Sequence, residues 1–107
     1  MSKLSFRPRT DLHDILKTVL DNSNVYFRPP ANKLMKYPAI RYDISEVRTT
    51  YADNKRYKIM KGYTVTLITL DPDTDVFDKI LETFEYCRFD RSYAYDNLHH
   101  FVFNVYF

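Results

Sequence analysis

The sequence predicts an α+β fold in which a long hairpin projects from an antiparallel or mixed sheet and two helices pack on one face. Residues 37–70 have the pattern of two long strands joined at a polar tip. Two other segments, 10–20 and 76–88, space their apolar side chains at helical intervals. Helices that each carry one apolar stripe bury it against the same side of a sheet, which gives the predicted architecture.

The whole chain, residues 1–107, is expected to form a single domain. It is 45% hydrophobic and 28% charged, and a chain of this size buries enough surface to fold without disulfides. Its single cysteine cannot form an internal disulfide. The sequence shows neither a secretory leader nor an apolar run of membrane-spanning length, which predicts a protein made in a reducing cytosol.

The formal net charge of +2, from 16 basic and 14 acidic residues, is nearly balanced. No strong sequence-independent attraction to nucleic acid or to an anionic membrane is therefore expected. The chain has 10 Tyr and 8 Phe but a single Gly. Scarce glycine argues against a phosphate-binding loop, and abundant aromatic residues favour strands.

The first helix is predicted to start from an N-cap at Thr10 or Asp11 and to end at 21–24. Its apolar stripe consists of Leu12, Ile15, Leu16, Val19 and Leu20. A short strand is predicted at 25–27. The two prolines in 28–30 end this strand, because proline has no N–H to donate to a ladder.

The long hairpin is predicted from two alternating segments. The first runs from Ala39 to Ser45 and on toward Thr50, and the second covers 57–70. A turn at 52–55 joins them, and Gly62 is interpreted as the mark of a bulge. The faces expected to point into the core are Ile40, Tyr42 and Ile44, and Tyr63, Val65 and Leu67.

The C-terminal third is predicted to contain a helix and a hairpin. Residues 71–75 supply the cap of a helix at 76–88, whose apolar side is Phe77, Ile80, Leu81 and Phe84. A strand at 92–95 then turns at 96–97 into a strand at 98–107. The core-facing side of that last strand is predicted to be Phe101, Phe103, Val105 and Phe107.

The outer half of the long hairpin is too polar to pack in a core, so it is predicted to project as an arm. Projecting arms usually contact a partner, and Tyr and Arg are favoured at interfaces. A hairpin that is only solvated is the alternative. The residues of the arm that are predicted to contact a partner are Arg48, Tyr51, Lys55, Arg56 and Tyr57.

A group of carboxylates and a pair of adjacent histidines both resemble metal sites, but neither pattern has the geometry that such a site needs. Asp71, Asp73, Asp75 and Glu82 have the spacing of an EF-hand calcium loop, but Val76 stands where that loop needs glycine. Helix capping is therefore the expected role. Adjacent histidines at 99–100 would point to opposite faces of a strand and could not easily share a metal ion.

No catalytic residue, cofactor or metal site is predicted. Cys87, near the end of an amphipathic helix, is expected to be a small core residue and not a nucleophile. An enzyme of another kind would need a site built from distant residues, such as His13 and Asp96.

RNA binding is an alternative raised by the tripeptide Lys-Gly-Tyr at 61–63. It matches the start of the RNA-recognition strand of RRM domains, in which aromatic side chains stack on bases. Val65 and Ile68 stand where further aromatics are expected, and the helix-first order differs from the RRM order. The basic run at 55–58 keeps this alternative open.

The run Tyr37-Pro38-Ala39-Ile40, the long hairpin, the Asp-Pro turn into a helix and the closing aromatic strand together resemble the tail terminator or tail-completion proteins of long-tailed bacteriophages. The likeness covers most of the chain and lies in its layout. It implies a non-enzymatic assembly protein that closes into a ring of six subunits on the tail tube, stops tube polymerisation and presents a surface for the filled head.

The same resemblance implies the partners and the location. The partners would be further copies of this chain, the major tail tube protein and the head–tail connector protein, with no membrane and no sequence-specific nucleic acid. The protein would lie at the head-proximal end of the virion tail. Another head–tail connector or neck protein is the nearest alternative.

Overall fold

The computed structural model describes residues 8–31, 33–52 and 55–107, without the side chains of Thr50, Ala52 and 55–59. Two helices and five strands make up this part of the chain, which confirms the predicted α+β class. In chain order they are α1 (Arg9–Leu20), β1 (Val25–Phe27), β2 (Ala39–Ala52), β3 (Lys55–Thr69), α2 (Val76–Thr83), β4 (Tyr86–Tyr95) and β5 (Leu98–Tyr106).

The five strands form one sheet in the order β1-β2-β3-β5-β4. The pairs β2–β3, β3–β5 and β4–β5 are antiparallel, whereas β1 runs parallel to β2. The sheet is therefore mixed, with its parallel pair at one edge. Val65 in β3 pairs with Tyr42 on one side and with Phe103 on the other, so β3 is the centre of the sheet.

The predicted N-cap of α1 is wrong, because the helix begins earlier, at Arg9. Pro8 is the N-cap residue, with φ −68° and ψ 147°, and its carbonyl accepts the Asp11 N–H at 3.0 Å. The fixed φ of proline suits the entry to a helix, so Thr10 falls inside the first turn. The predicted end is confirmed, since Asp21 is the left-handed C-cap with φ 61°.

The predicted length of α2 is also wrong. The helix ends at Thr83, Phe84 is extended with φ −99° and ψ 131°, and β4 begins at Tyr86 instead of at 92. Pairing with β5 draws this aromatic segment into the sheet. The predicted cap region is correct in position. Within it the Thr74 hydroxyl accepts a hydrogen bond from the Val76 N–H at 3.3 Å.

The core lies between the sheet and the two helices, which pack on the same face as predicted. Leu12 and Leu16 from α1 and Ile80 from α2 are fully buried against the sheet. Phe77 is a hub between α2 and the strands, because its ring lies 5.2–5.3 Å from three other phenylalanines. The buried residues from the strands and the C-terminus that complete the core are Val25, Ile40, Tyr42, Tyr63, Val65, Leu67, Phe103, Val105 and Phe107.

The two predicted hairpin turns have different outcomes. Asp96 and Asn97 join β4 to β5 with φ values of 54° and 63°, the left-handed pair that a tight hairpin requires, so this turn is confirmed. The turn predicted between β2 and β3 falls on residues 53–54, which lie outside the described residues.

Two buried tyrosines in the core differ in how their hydroxyl groups are satisfied. The Tyr42 hydroxyl accepts a hydrogen bond from Arg9 at 2.9 Å and shares one with Nδ1 of His13 at 2.7 Å. The Tyr63 hydroxyl is buried and has no partner among the residues that the structure describes. The two rings are in edge contact, 6.1 Å apart, so they share one packing environment.

Because only the Tyr42 hydroxyl is hydrogen-bonded, substitution by phenylalanine should change the stability differently at the two positions. Tyr42→Phe should lower the free energy of unfolding by about 1–2 kcal/mol, because it removes two hydrogen bonds of partly buried groups. Tyr63→Phe should leave it unchanged or raise it by up to about 1 kcal/mol, because it removes an unsatisfied buried hydroxyl. Urea denaturation of both variants measures this, and an equal loss in both would contradict it.

Candidate functional site

The long hairpin extends beyond the rest of the sheet. β3 pairs with β5 from Thr69 to Gly62, and Lys61 adds two backbone hydrogen bonds with Phe107, while the pairing of β3 with β2 continues as far as Lys55. Residues 47–60 are called the arm below, and its described residues, 47–52 and 55–60, therefore form a two-stranded ribbon. With six residues on a strand the arm is about 20 Å long, and the molecule measures 52 × 27 × 22 Å.

All five predicted contact residues belong to this arm. Tyr51 is 65% exposed and Arg48 is exposed, whereas the side chains of Lys55, Arg56 and Tyr57 lie outside the described part of the chain. Val47, which is not among the predicted contact residues, is 56% exposed at the start of the arm. Its signal was present in the sequence, because Val47 is the one aliphatic residue between two charged ones.

A cluster of three polar side chains lies at the base of the arm. The Tyr106 hydroxyl donates a hydrogen bond to the Glu46 carboxylate. Arg48 donates to the Tyr106 hydroxyl at 3.2 Å, lies 3.4 Å from Glu46 and stacks 4.7 Å from the centre of the Tyr106 ring. This group, Glu46, Arg48 and Tyr106, is called the arm-base cluster below.

The hydrogen bonds of the arm-base cluster perturb the pKa of two of its members. The bond from Tyr106, followed by Arg48, lowers the pKa of Glu46 below its usual value. The same bond to Glu46 raises the pKa of Tyr106. At neutral pH the cluster therefore holds a carboxylate, a protonated phenol and a guanidinium, which is a charge-assisted arrangement.

Gly62 lies beneath this cluster and pairs with Glu46 on one side and Tyr106 on the other. A Cβ atom on Gly62 would be 2.7 Å from Cγ of Glu46 and 3.0 Å from Cε1 of Tyr106. The φ of Gly62 is not positive, so glycine is needed here for space and not for backbone freedom. The bulge predicted at Gly62 is present in the partner strand, because the register of β2 shifts between Ile44 and Glu46, opposite Tyr63 and Gly62.

The other face of the sheet is not covered by the helices. It contains a depression of about 430 Å³ beside the loop that joins β1 to β2. Tyr93 and His100 stack in parallel in it, with ring centres 4.6 Å apart and planes 8° apart. Its lining includes Tyr37, Arg41, Thr64 and Thr66.

The tripeptide at 61–63 is oriented unfavourably for RNA. Tyr63 has no exposed surface and points into the core, under the helices. It cannot stack on a base from that position. The aromatic side chains on the open face, such as Tyr93, come from other strands.

The remaining candidates from the sequence have structural positions. Cys87 packs against the core, and burial raises the pKa of its thiol to about 11, which disfavours the nucleophilic thiolate. His13 bonds to Tyr42, whereas Asp96 is exposed in the β4–β5 turn. Within the described residues, no three His, Cys, Asp or Glu side chains could hold a metal ion together.

The comparisons with known proteins do not extend these observations. No family model matches the chain, and no curated protein matches it. Among the residues that the structure describes, no helix is long and apolar enough to cross a membrane. Function is therefore inferred from the geometry of the chain itself.

The two partly buried histidines predict that acid weakens the fold. Burial is the main cause that lowers the pKa of both His13 and His100 below 6.5. The unfolded chain then binds protons more readily than the folded chain. The contribution of the two neutral histidines to stability is therefore complete above about pH 6.5 and is lost as the pH falls through their folded pKa values. We expect the unfolding free energy to fall as the pH is lowered below about 6.5, the pKa of histidine in the unfolded chain.

Substitution of His100 should separate the two contributions. His100→Gln should make that decline shallower and leave the part due to His13. His99→Gln is the matched control, because the neighbouring residue points to the opposite face of β5. Chemical denaturation at several pH values measures the slopes, and equal slopes for His100→Gln and the parent would contradict the assignment.

Proposed function

We propose that this chain is a non-enzymatic assembly protein of the tail of a long-tailed bacteriophage. In this proposal it acts as a tail terminator: a ring of six copies caps the tail tube, stops its polymerisation and presents the surface to which the head attaches. Its partners are then further copies of itself, the tube protein and the connector protein. The layout resemblance and the arm support this proposal.

The arm is the observation that carries the proposal. A two-stranded ribbon without further packing is marginally stable in water, so a long projecting one suggests a partner that completes its packing. Val47 and Tyr51 expose apolar surface on the arm. Exposed apolar side chains on a projecting element are typical of an interaction surface.

Charge also favours contact between the arm and another macromolecule. Between residues 47 and 60 the sequence has four basic residues and one acidic residue, a local net charge of +3. The rest of the chain then has a net charge of −1, since the total is +2. A basic arm on an otherwise nearly neutral body favours attraction to an acidic surface.

A ring requires a head-to-tail interface with two different patches on each subunit. The arm can supply one patch, because it projects beyond the body that it belongs to. The body must supply the other to the arm of a neighbouring copy. Repetition of this contact with a closing rotation gives a ring, whereas a symmetric contact between two identical patches would stop at a dimer.

A second candidate, single-stranded nucleic-acid binding, is favoured by the open sheet face. Arg41 and the stacked pair of Tyr93 and His100 lie together in its depression. Aromatic rings beside a cation can stack on bases without reading their sequence. Nucleic acid that remains bound to the purified protein would support this function over the assembly ring.

Loss of side chains at the arm should weaken assembly and leave the monomer folded. We expect the double variant Arg56→Ala, Tyr57→Ala and the single variant Tyr51→Ala to raise the concentration needed for ring formation by about tenfold or more, since Arg and Tyr are frequent hot spots. Native mass spectrometry over a concentration series measures the oligomer. Capping of purified tail tubes measures the function.

The matched control is Lys17→Ala with Thr18→Ala, which removes two exposed side chains from α1. It should assemble like the parent chain. A parent that stays monomeric at every concentration and also fails to cap tail tubes would contradict the proposed function. Normal assembly of both arm variants would contradict the role of the arm.

A further inference from the structure

We infer that the arm-base cluster is a joint that fixes the direction of the arm relative to the sheet. Glu46, Arg48 and Tyr106 are then positioning residues for the arm, and Gly62 provides the space in which they meet. Immobilisation of the arm in the monomer is independent of the proposed function. Its effect on ring assembly rests on that function.

The position of the cluster coincides with a change in the construction of the sheet. Directly after the Lys61–Phe107 backbone hydrogen bonds, one residue beyond Gly62, β3 loses its pairing with the β5 segment, and between Ile44 and Glu46 the register of β2 shifts by one residue. Such a bulge bends a strand and increases its twist, and a two-stranded ribbon twists more than a full sheet. At the base of the arm, the backbone alone therefore does least to fix the direction of the arm.

The cluster connects the arm to a strand with which the arm does not pair. Arg48 belongs to the arm, where it pairs with Met60, whereas Tyr106 is at the end of β5. The guanidinium both stacks on the Tyr106 ring and donates to its hydroxyl. Two contacts of different geometry restrict both the distance and the angle between the arm and the sheet.

Glu46 completes the joint from the base of the arm. Its carboxylate accepts the Tyr106 hydroxyl and also faces Arg48, so all three side chains hold one another. Exposed ion pairs contribute little to overall stability, and this cluster is at the surface. Its effect should therefore be seen in the arm and not in the stability of the whole domain.

The clearance above Gly62 explains why the cluster can form. Tyr106 and Glu46 flank Gly62 on the same face of the sheet, and their side chains meet across it. Any larger residue would separate them, since a methyl group would already overlap Cγ of Glu46 at 2.7 Å. The single glycine of the chain is thus explained by the joint.

Hydrogen exchange of the arm amides in the monomeric protein tests the joint. Tyr106→Phe keeps the ring but removes the hydroxyl, and Glu46→Gln removes the charge; both should speed exchange in residues 47–60 by about fivefold or more. Amides in α1 and in the centre of the sheet should be unaffected. Asn104→Ala, two residues earlier on the same face of β5, is the matched control and should exchange like the parent.

Two variants, Gly62→Ala alone and Gly62→Ala with Glu46→Ala, separate the effect of Gly62 on side-chain packing from the effect of the arm-base cluster on the direction of the arm. Gly62→Ala should lower stability through the overlap with Glu46, and Glu46→Ala in the same chain should restore much of it by removing Cγ. The arm of the double variant should still exchange about fivefold faster, because the joint is absent. Exchange at the parent rate in the double variant would overturn the inference.

The outcomes also distinguish the joint from the proposed function. Unchanged arm exchange in Tyr106→Phe and Glu46→Gln would overturn the joint and leave the arm's role in assembly standing. Faster exchange throughout the chain would also overturn it, because the cluster would then act on global stability. Faster exchange in the arm alone supports the joint. Normal ring assembly with such a loosened arm would contradict the effect of the joint on assembly and leave the proposed function standing.

Discussion

The register of β3 determines both faces of this molecule. Along its inner half β3 pairs with strands on both sides, and its side chains alternate between a buried set and an uncovered set. Tyr63 and Leu67 pack under the helices, whereas Thr64 and Thr66 line the open face. A slip of one residue would place the threonine hydroxyls in the core and remove Gly62 from beneath Tyr106. The core, the open face and the base of the arm therefore depend on one pairing.

The elements that were predicted correctly are those whose signal is local. The stripe of α1 and the alternation in β2 and β5 are visible within a few residues, because one face of each element meets the core. The end of α2 was not visible in this way. Val76, Ile80 and Phe84 fit a helical period that Cys87 continues, yet the chain leaves the helix after Thr83. Pairing of residues 86–89 with β5, which follows in the sequence, decides the boundary.

The arm and the arm-base cluster also differ in whether their signal in the sequence is local. The arm could be predicted because a long polar hairpin cannot be buried, and this depends on composition alone. The arm-base cluster could not, because Glu46 and Tyr106 are 60 residues apart and meet only through the register of three strands. One local signal existed. An isolated glycine in a strand indicates either a bulge or a close approach of neighbouring groups, and Gly62 marks both, because the register shift of β2 is opposite it and Glu46 and Tyr106 approach it closely.

The parallel pairing of β1 shows how little of the sheet edge is protected by strands. Only three residues of β1 pair with β2, at the end opposite the arm. From Asp43 outward, β2 has no other strand beside it than β3 within the described residues. In the described part of the chain the outer backbone groups of this edge therefore have no strand to pair with, and open strand edges are places where another chain can add a strand.

In the proposed ring, the direction of the arm has a consequence that depends on symmetry. In a closed ring every subunit makes the same contact, so an error in the direction of one arm is repeated at each interface and prevents closure. An arm already held in its binding direction loses less conformational freedom on association than a mobile one, which leaves more of the contact energy for binding. Weak exposed interactions such as those of Arg48 with Tyr106 can therefore matter more to assembly than to folding.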